Sequence, residues 1–185
     1  MGYASVMPEQ RYRVAAAPGD LRLVQELLNT SAKNGGRTPD LLDAALPAAE
    51  WLSAYGITGD SPGISDLRRL RDVVRRFLLG AGPEPGEVTA AAPLVLHPDG
   101  TVGVAGEPND IGALAGRILL AIRDAQLAGT WRRLKLCRNP DCQVAFWDSS
   151  RNTSGVWHDV RTCGNVANLR KSRARRSASV IVDGS

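Results

Sequence analysis

The sequence predicts an α+β chain: a mainly helical N-terminal domain with a small β-hairpin, followed by a small C-terminal module that holds every cysteine and ends in a basic helix. Three observations carry this. Leucines recur at helical spacing through the first 130 residues. One turn, His97-Pro98-Asp99-Gly100, lies between two short runs of strand-forming residues. Every cysteine, with one of the two histidines, falls between positions 137 and 163. The implied division is 1–130 against 131–185.

After Gly19-Asp20, the residues Leu21, Val24, Leu27 and Leu28 give a helix over 20–30 with one apolar face, ended by Asn29-Thr30. Pro47 suits the first position of a second helix that turns Trp51, Leu52 and Tyr55 inward and stops at Gly56. Ser65-Asp66 caps a third, with Leu67, Leu70, Val74, Phe77 and Leu78 as its buried stripe. Arg68, Arg69, Arg71, Arg75 and Arg76 of that helix are expected to face mostly water. Residues 80–86, rich in Gly and Pro, form a loop. Leu94-Val95-Leu96 and Thr101-Val102-Gly103-Val104 then pair as a hairpin, with His97 a surface residue of its turn. Asn109-Asp110 starts the longest helix, whose core face is Ile111, Leu114, Ile118, Leu119 and Ile122 and whose stop is Gly129. Trp131 to Leu136 leads as a strand into the first cysteine.

Cys137, Cys142, His158 and Cys163 read C-x4-C-x15-H-x4-C. Three thiolates and an imidazole fill a tetrahedral zinc shell, so the metal is structural; a catalytic zinc keeps one corner open for water. Arg138-Asn139-Pro140-Asp141 is a turn-forming stretch that brings the first two sulfurs to one point. Gly164-Asn165 suits the bend before a helix that starts near Val166. The alternative is three ordinary buried thiols, and the odd cysteine count speaks against a disulfide framework.

These residues carry a resemblance. The stretch from Leu134 to Arg176 resembles the CGNR zinc-finger family of bacterial transcription regulators, in which the finger reads C-x4-C-x4-F-x-D-x-S-x-N, then W-C-x4-C-G-N-R and a basic tail. Cys137, Cys142, Phe146, Asp148, Ser150, Asn152, Trp157, Cys163, Gly164 and Asn165 match it. The chain departs from it in three places: His158 stands for a cysteine, Val166 for the arginine of the family name, and Gly155-Val156 where arginines are common. Upstream, Pro18-Gly19-Asp20-Leu21, Asn29-Thr30, Asp40-Leu41-Leu42 and Trp51-Leu52 resemble the α/β domain called ABATE that precedes the finger in that family. The resemblance implies a one-component regulator, with a small-molecule-sensing N-terminal domain and a DNA-binding finger.

Charge divides in the same way. Residues 1–130 carry net −3, and residues 131–176 carry net +8. Zinc with three thiolates and a neutral imidazole adds only about −1, so the module stays positive and attracts polyanions. On a helix after Cys163, Asn165, Arg170, Lys171, Arg173, Arg175 and Arg176 are the candidate DNA contacts, the arginines holding phosphates and Asn165 reaching a base. With Val166 in place of arginine, modest affinity and low sequence discrimination are expected. A zinc-stabilised protein-interaction module without specific DNA binding is the competing reading. In the N-terminal domain, the amide of Asn29 and hydroxyl of Thr30, at the end of an apolar helix, are expected at the polar end of a ligand pocket.

Other classes find no support in the sequence. It has no P-loop, no G-x-G-x-x-G and no His-Glu metal pair, so no enzyme is expected. No apolar run approaches the ~20 residues of a membrane span, and no signal-peptide core opens the chain, so a cytoplasmic location is expected. A homodimer is compatible with this reading.

Overall fold

The computed structural model describes residues 12–33, 38–58, 63–81, 93–106, 110–170 and 172. Its axis is α1 (Leu21–Asn29), in which eight of nine residues are buried, polar ones included. The apolar spacing correctly placed the helix, but its polar face meets protein rather than water. Each buried polar group on it has a partner, as burial requires. Gln25 accepts from the Ala17 amide at 2.6 Å and donates to Ala15 O at 3.0 Å. Glu26 accepts from Arg22 at 2.8 Å and from the Tyr55 hydroxyl.

Around α1 pack α2 (Ala45–Ser53), α3 (Ile64–Leu78) and α4 (Ile111–Leu127). Helix α2 starts two residues before Pro47, which sits in the first turn where its missing N–H costs no hydrogen bond. Helix α4 is capped as the sequence suggested, with Asp110 accepting from the Gly112 amide at 2.8 Å. Between α3 and α4 stands an antiparallel pair, β1 (Leu94–Leu96) and β2 (Val102–Val104), in the register Leu94↔Val104 and Leu96↔Val102.

Two expectations for α3 are corrected. Phe77 is 56 % exposed, because it lies at the edge of the stripe that Leu67, Leu70 and Val74 bury. Arg71 and Arg75 are inside, 4 % and 7 % exposed. They fall four and eight residues after Leu67, on the same buried face.

After α4 a short 3-10 turn, Trp131–Arg133, occupies the first half of the expected strand and delivers β3 (Leu134–Leu136). It pairs antiparallel with β4 (Ala145–Trp147), in the register Leu134↔Trp147, Lys135↔Phe146 and Leu136↔Ala145. Leu134, Leu136 and Ala145 belong to the same apolar cluster as Val24, Leu27 and Leu28 of α1. The helical region and the cysteine-bearing hairpin therefore share one core. No helix among the described residues is long and apolar enough to cross a membrane.

Candidate metal centre and its braces

The four metal-ligand candidates come together: one ligand atom from each of Cys137, Cys142, His158 and Cys163 lies within 4.8 Å of the others. Imidazole Nδ1 of His158 is 3.4 Å from Cys142 Sγ and 3.7 Å from Cys163 Sγ. A tetrahedral zinc with bonds of about 2.3 Å to sulfur and 2.0–2.1 Å to nitrogen spans edges of about 3.5–3.8 Å. The cluster fits one structural zinc, with no fifth donor and no open corner among the described residues.

Local structure explains how the chain reaches this geometry. Cys137 extends the β3–β4 ladder, its amide donating to Val144 O at 2.8 Å. Asn139 then closes the loop: its carbonyl accepts from the Cys142 and Gln143 amides, and its side chain donates toward Cys163 Sγ at 3.5 Å. Gln143 takes φ +54, in the left-handed region, to bring the chain back into β4. On the other side, Asp159 caps a π-turn, Val160–Gly164, by accepting from the Arg161 amide at 2.7 Å. The wider turn carries Cys163 back to the cluster, with Gly164 N donating to Asp159 O at 3.3 Å.

The thiols of Cys137 and Cys142 oppose each other's ionisation. A hydrogen bond from Cys142 draws the Cys137 thiol down, and the same bond together with burial pushes Cys142 up. A divalent cation bound by all three removes that conflict. The cluster is also packed from behind: Cys137, Cys142, Cys163 and Val144 share a second apolar cluster with Tyr12 and Ala32 of the N-terminal domain.

A charged brace holds the far end of the hairpin. Asp148, 4 % exposed, takes Lys135 Nζ at 2.7 Å, the Ser150 amide at 3.0 Å and the Gly155 amide at 2.8 Å. Burial works against its charge, but the hydrogen bonds from Lys135, Ser150 and Gly155 outweigh it and hold the carboxyl well below the usual range. Lys135 also donates to Thr153 O and Gly155 O, at 2.6 and 3.0 Å. Gly155 has a steric reason: a Cβ there would stand 2.9 Å from Asp148 Cγ. The Asp148 and Ser150 of the family motif are thus part of the scaffold of the metal site.

Asn29 and Thr30 are placed differently from the ligand-pocket expectation. Asn29 Nδ2 donates to Ala145 O at 3.0 Å and its Oδ1 accepts from Ala145 N at 2.8 Å, so the amide clamps β4 as a neighbouring strand would. Thr30 Oγ1 donates to Leu27 O at 2.7 Å and accepts from Arg71, whose guanidinium also holds Asp40 at 2.7 Å. Both side chains are fully engaged at 1 % and 0 % exposure. Gln25 and Lys135 are structural residues that the sequence reading did not single out; Asn139 was read only as part of a turn, and Arg71 and Arg75 were expected to face water. The signal for the two arginines was their spacing from Leu67.

Beyond the cluster, residues 165–170 are helical, and Asn165 and Arg170 are exposed on them. Arg170 is paired with Asp141 of the first cysteine loop at 2.5 Å, both about half exposed. Lys171, Arg173, Arg175 and Arg176 lie outside the described residues.

Comparison with known families matches both halves of this arrangement. Residues 133–176 match the CGNR zinc finger, and residues 21–132 match the ABATE family, described as "Putative stress-induced transcription regulator". No curated protein matches the chain. With most of its length covered by these two adjacent matches, and with a Cys3His cluster in place of four cysteines, the chain belongs to the ABATE family with a C-terminal CGNR zinc finger.

Proposed function

We propose that this protein is a cytoplasmic, non-catalytic one-component regulator that binds duplex DNA through the face of its zinc module bearing the helix after Cys163, and that a small molecule met by the helical domain adjusts that binding. The observation that carries the reading is the charge split: net +8 over residues 131–176 against net −3 over the first 130. Asn165 and Arg170 are exposed on the helix that leaves the metal cluster, and side chains of these two types are the ones that contact base edges and phosphates. Cys163, just before that helix, packs in one apolar cluster with Tyr12 and Ala32 of the N-terminal domain, which supports a link between the two. Nothing at Asn29 and Thr30 is left for a ligand, so the small molecule meets other residues.

One observation favours the second reading, a protein-interaction module. Val160, Val166 and Leu169 are exposed beside the basic residues, at 67 %, 39 % and 58 %. The two readings separate in one titration. Duplex DNA is titrated at several salt concentrations with the wild type and with Arg170, Arg173 and Arg176 changed to Ala. DNA binding predicts a steep salt dependence whose slope falls by about 0.9 for each phosphate contact removed. Equal, salt-independent binding by both proteins, or none by either at low salt, selects the interaction module.

A further inference from the structure

The two halves of the metal site come from separate parts of the chain: Cys137 and Cys142 flank the loop after β3, whereas His158 and Cys163 belong to the segment that ends in the π-turn. Loop 138–141 reaches across that gap. The Arg138 amide donates to Val156 O at 3.0 Å, Asn139 Nδ2 donates to Cys163 Sγ at 3.5 Å, and Asp141 pairs with Arg170 at 2.5 Å. Of these contacts, the one from Asn139 ends on a metal ligand. It is also the buried one: Asn139 is 8 % exposed, while the side chains of Arg138 and Asp141 meet water.

The direction of the Asn139 amide follows from its other partner. Its Oδ1 accepts from the Asp141 amide at 3.2 Å, and a backbone N–H can only donate. The oxygen therefore faces Asp141, and the NH2 group faces the sulfur. The Asn139 carbonyl, accepting from the Cys142 and Gln143 amides at 2.9 and 3.2 Å, fixes the backbone from which this side chain projects. A thiolate bound to zinc has no proton to give, so a polar group that meets it has to be a donor. Hydrogen bonds to a charged acceptor are the stronger kind. This one offsets part of the charge of about −1 that three thiolates, a neutral imidazole and Zn2+ leave on the centre.

We propose that Asn139 is a positioning residue of the zinc centre: its side-chain N–H holds the Cys163 sulfur against the first cysteine loop and shares the charge of the bound thiolate. Cys163 lies just before the helix that bears Asn165 and Arg170, so Asn139 also fixes where that helix starts relative to β3–β4. A residue that merely closed the 138–141 turn would need its acceptor oxygen and no N–H.

The test uses the full-length protein in two forms. Loaded with cadmium-113, a soft cation suited to thiolate ligands, the wild type is expected to show an Asn139 Nδ2 proton downfield of free side-chain amides and scalar-coupled to the metal through the Cys163 sulfur. Loaded with zinc, variants are compared in competition with a chelator of known affinity. Asn139→Asp keeps the shape and the turn acceptor but aims a carboxylate oxygen at the sulfur, and zinc binding is expected to weaken about hundredfold; Asn139→Ser drops the reach to the sulfur without adding charge, and a loss of about tenfold is expected, both within the usual effect of an outer-shell partner. The order of the two separates the roles, because Asp closes such a turn better than Ser does. Zinc affinity in Asn139→Asp equal to the wild type, or above that of Asn139→Ser, overturns the proposal. So does an Asn139 amide proton with no coupling to the metal, a result that requires no variant to fold.

Discussion

Among the described residues two antiparallel hairpins have strands of equal length, three residues each, and they could hardly be held more differently. In β1–β2, Leu94, Leu96 and Val102 point outward at 60 %, 71 % and 62 % exposure. In β3–β4, Leu134, Leu136, Ala145 and Phe146 are all buried. An isolated two-stranded hairpin is marginal in water, so each needs something else to hold it. The first relies on its turn: the His97 amide donates to Thr101 O at 2.8 Å, Asp99 takes both the amide and hydroxyl of Thr101, and Gly100 adopts φ +85. It also leans on α4. The second is held at one end by the zinc cluster, at the other by Asp148 and Lys135, and along its edge by Asn29. A hairpin that positions a functional element is fixed on three sides; one that connects two helices needs only a good turn.

Two substitutions sharpen this contrast. In β3–β4, Asp148→Asn removes the charge that Lys135 faces in a buried setting and should cost about 2–3 kcal/mol of unfolding free energy, read by denaturant titration. The pH dependence of that cost has a definite sign. Asp148 titrates below the usual carboxylate value, so its contribution is fully present above about pH 4 and fades only as the pH falls further through the folded value. The difference between wild type and Asp148→Asn should therefore be the same at pH 7 and pH 5. Any loss of stability shared by both proteins over that interval belongs to protons competing with zinc for the thiolates and imidazole. In β1–β2, Leu96→Thr should change stability by less than about 0.5 kcal/mol, because the side chain is already in water. A loss of about 2 kcal/mol or more, well outside the range of surface substitutions, would mean that the outward face of this hairpin is covered in solution.

The two hairpins also differ in how far the sequence revealed them. The turn between β1 and β2 is written in four adjacent residues, and the cysteine–histidine spacing names the metal ligands directly; both signals are local. The helices were legible from leucine spacing for the same reason. What the sequence did not disclose is where polar residues go when a second layer covers them. Asn29 looks the same whether it ends a helix beside a pocket or clamps a strand 116 residues later. Arg71 and Arg75 share a face with Leu67, yet an arginine on a helix is more often solvated, and only the carbonyls of Leu28 and Gln143 show why Arg75 is inside. Asp148 and Ser150 were recognisable as motif residues, but their role as a brace depends on Lys135 and Gly155, which no spacing rule connects to them.

The central claim is that the zinc module and the helical domain are one cooperative unit, joined by the shared core and by the hold of Asn29 on β4. Hydrogen exchange before and after zinc is stripped by a chelator tests it most directly, followed at the amides of α1 and of β3–β4, with His158→Ala and His158→Cys as companions. The account predicts that stripping zinc, or His158→Ala, lowers protection in α1 as well as in β3–β4, and that His158→Cys preserves both. Protection lost from β3–β4 while α1 keeps its full value would contradict it.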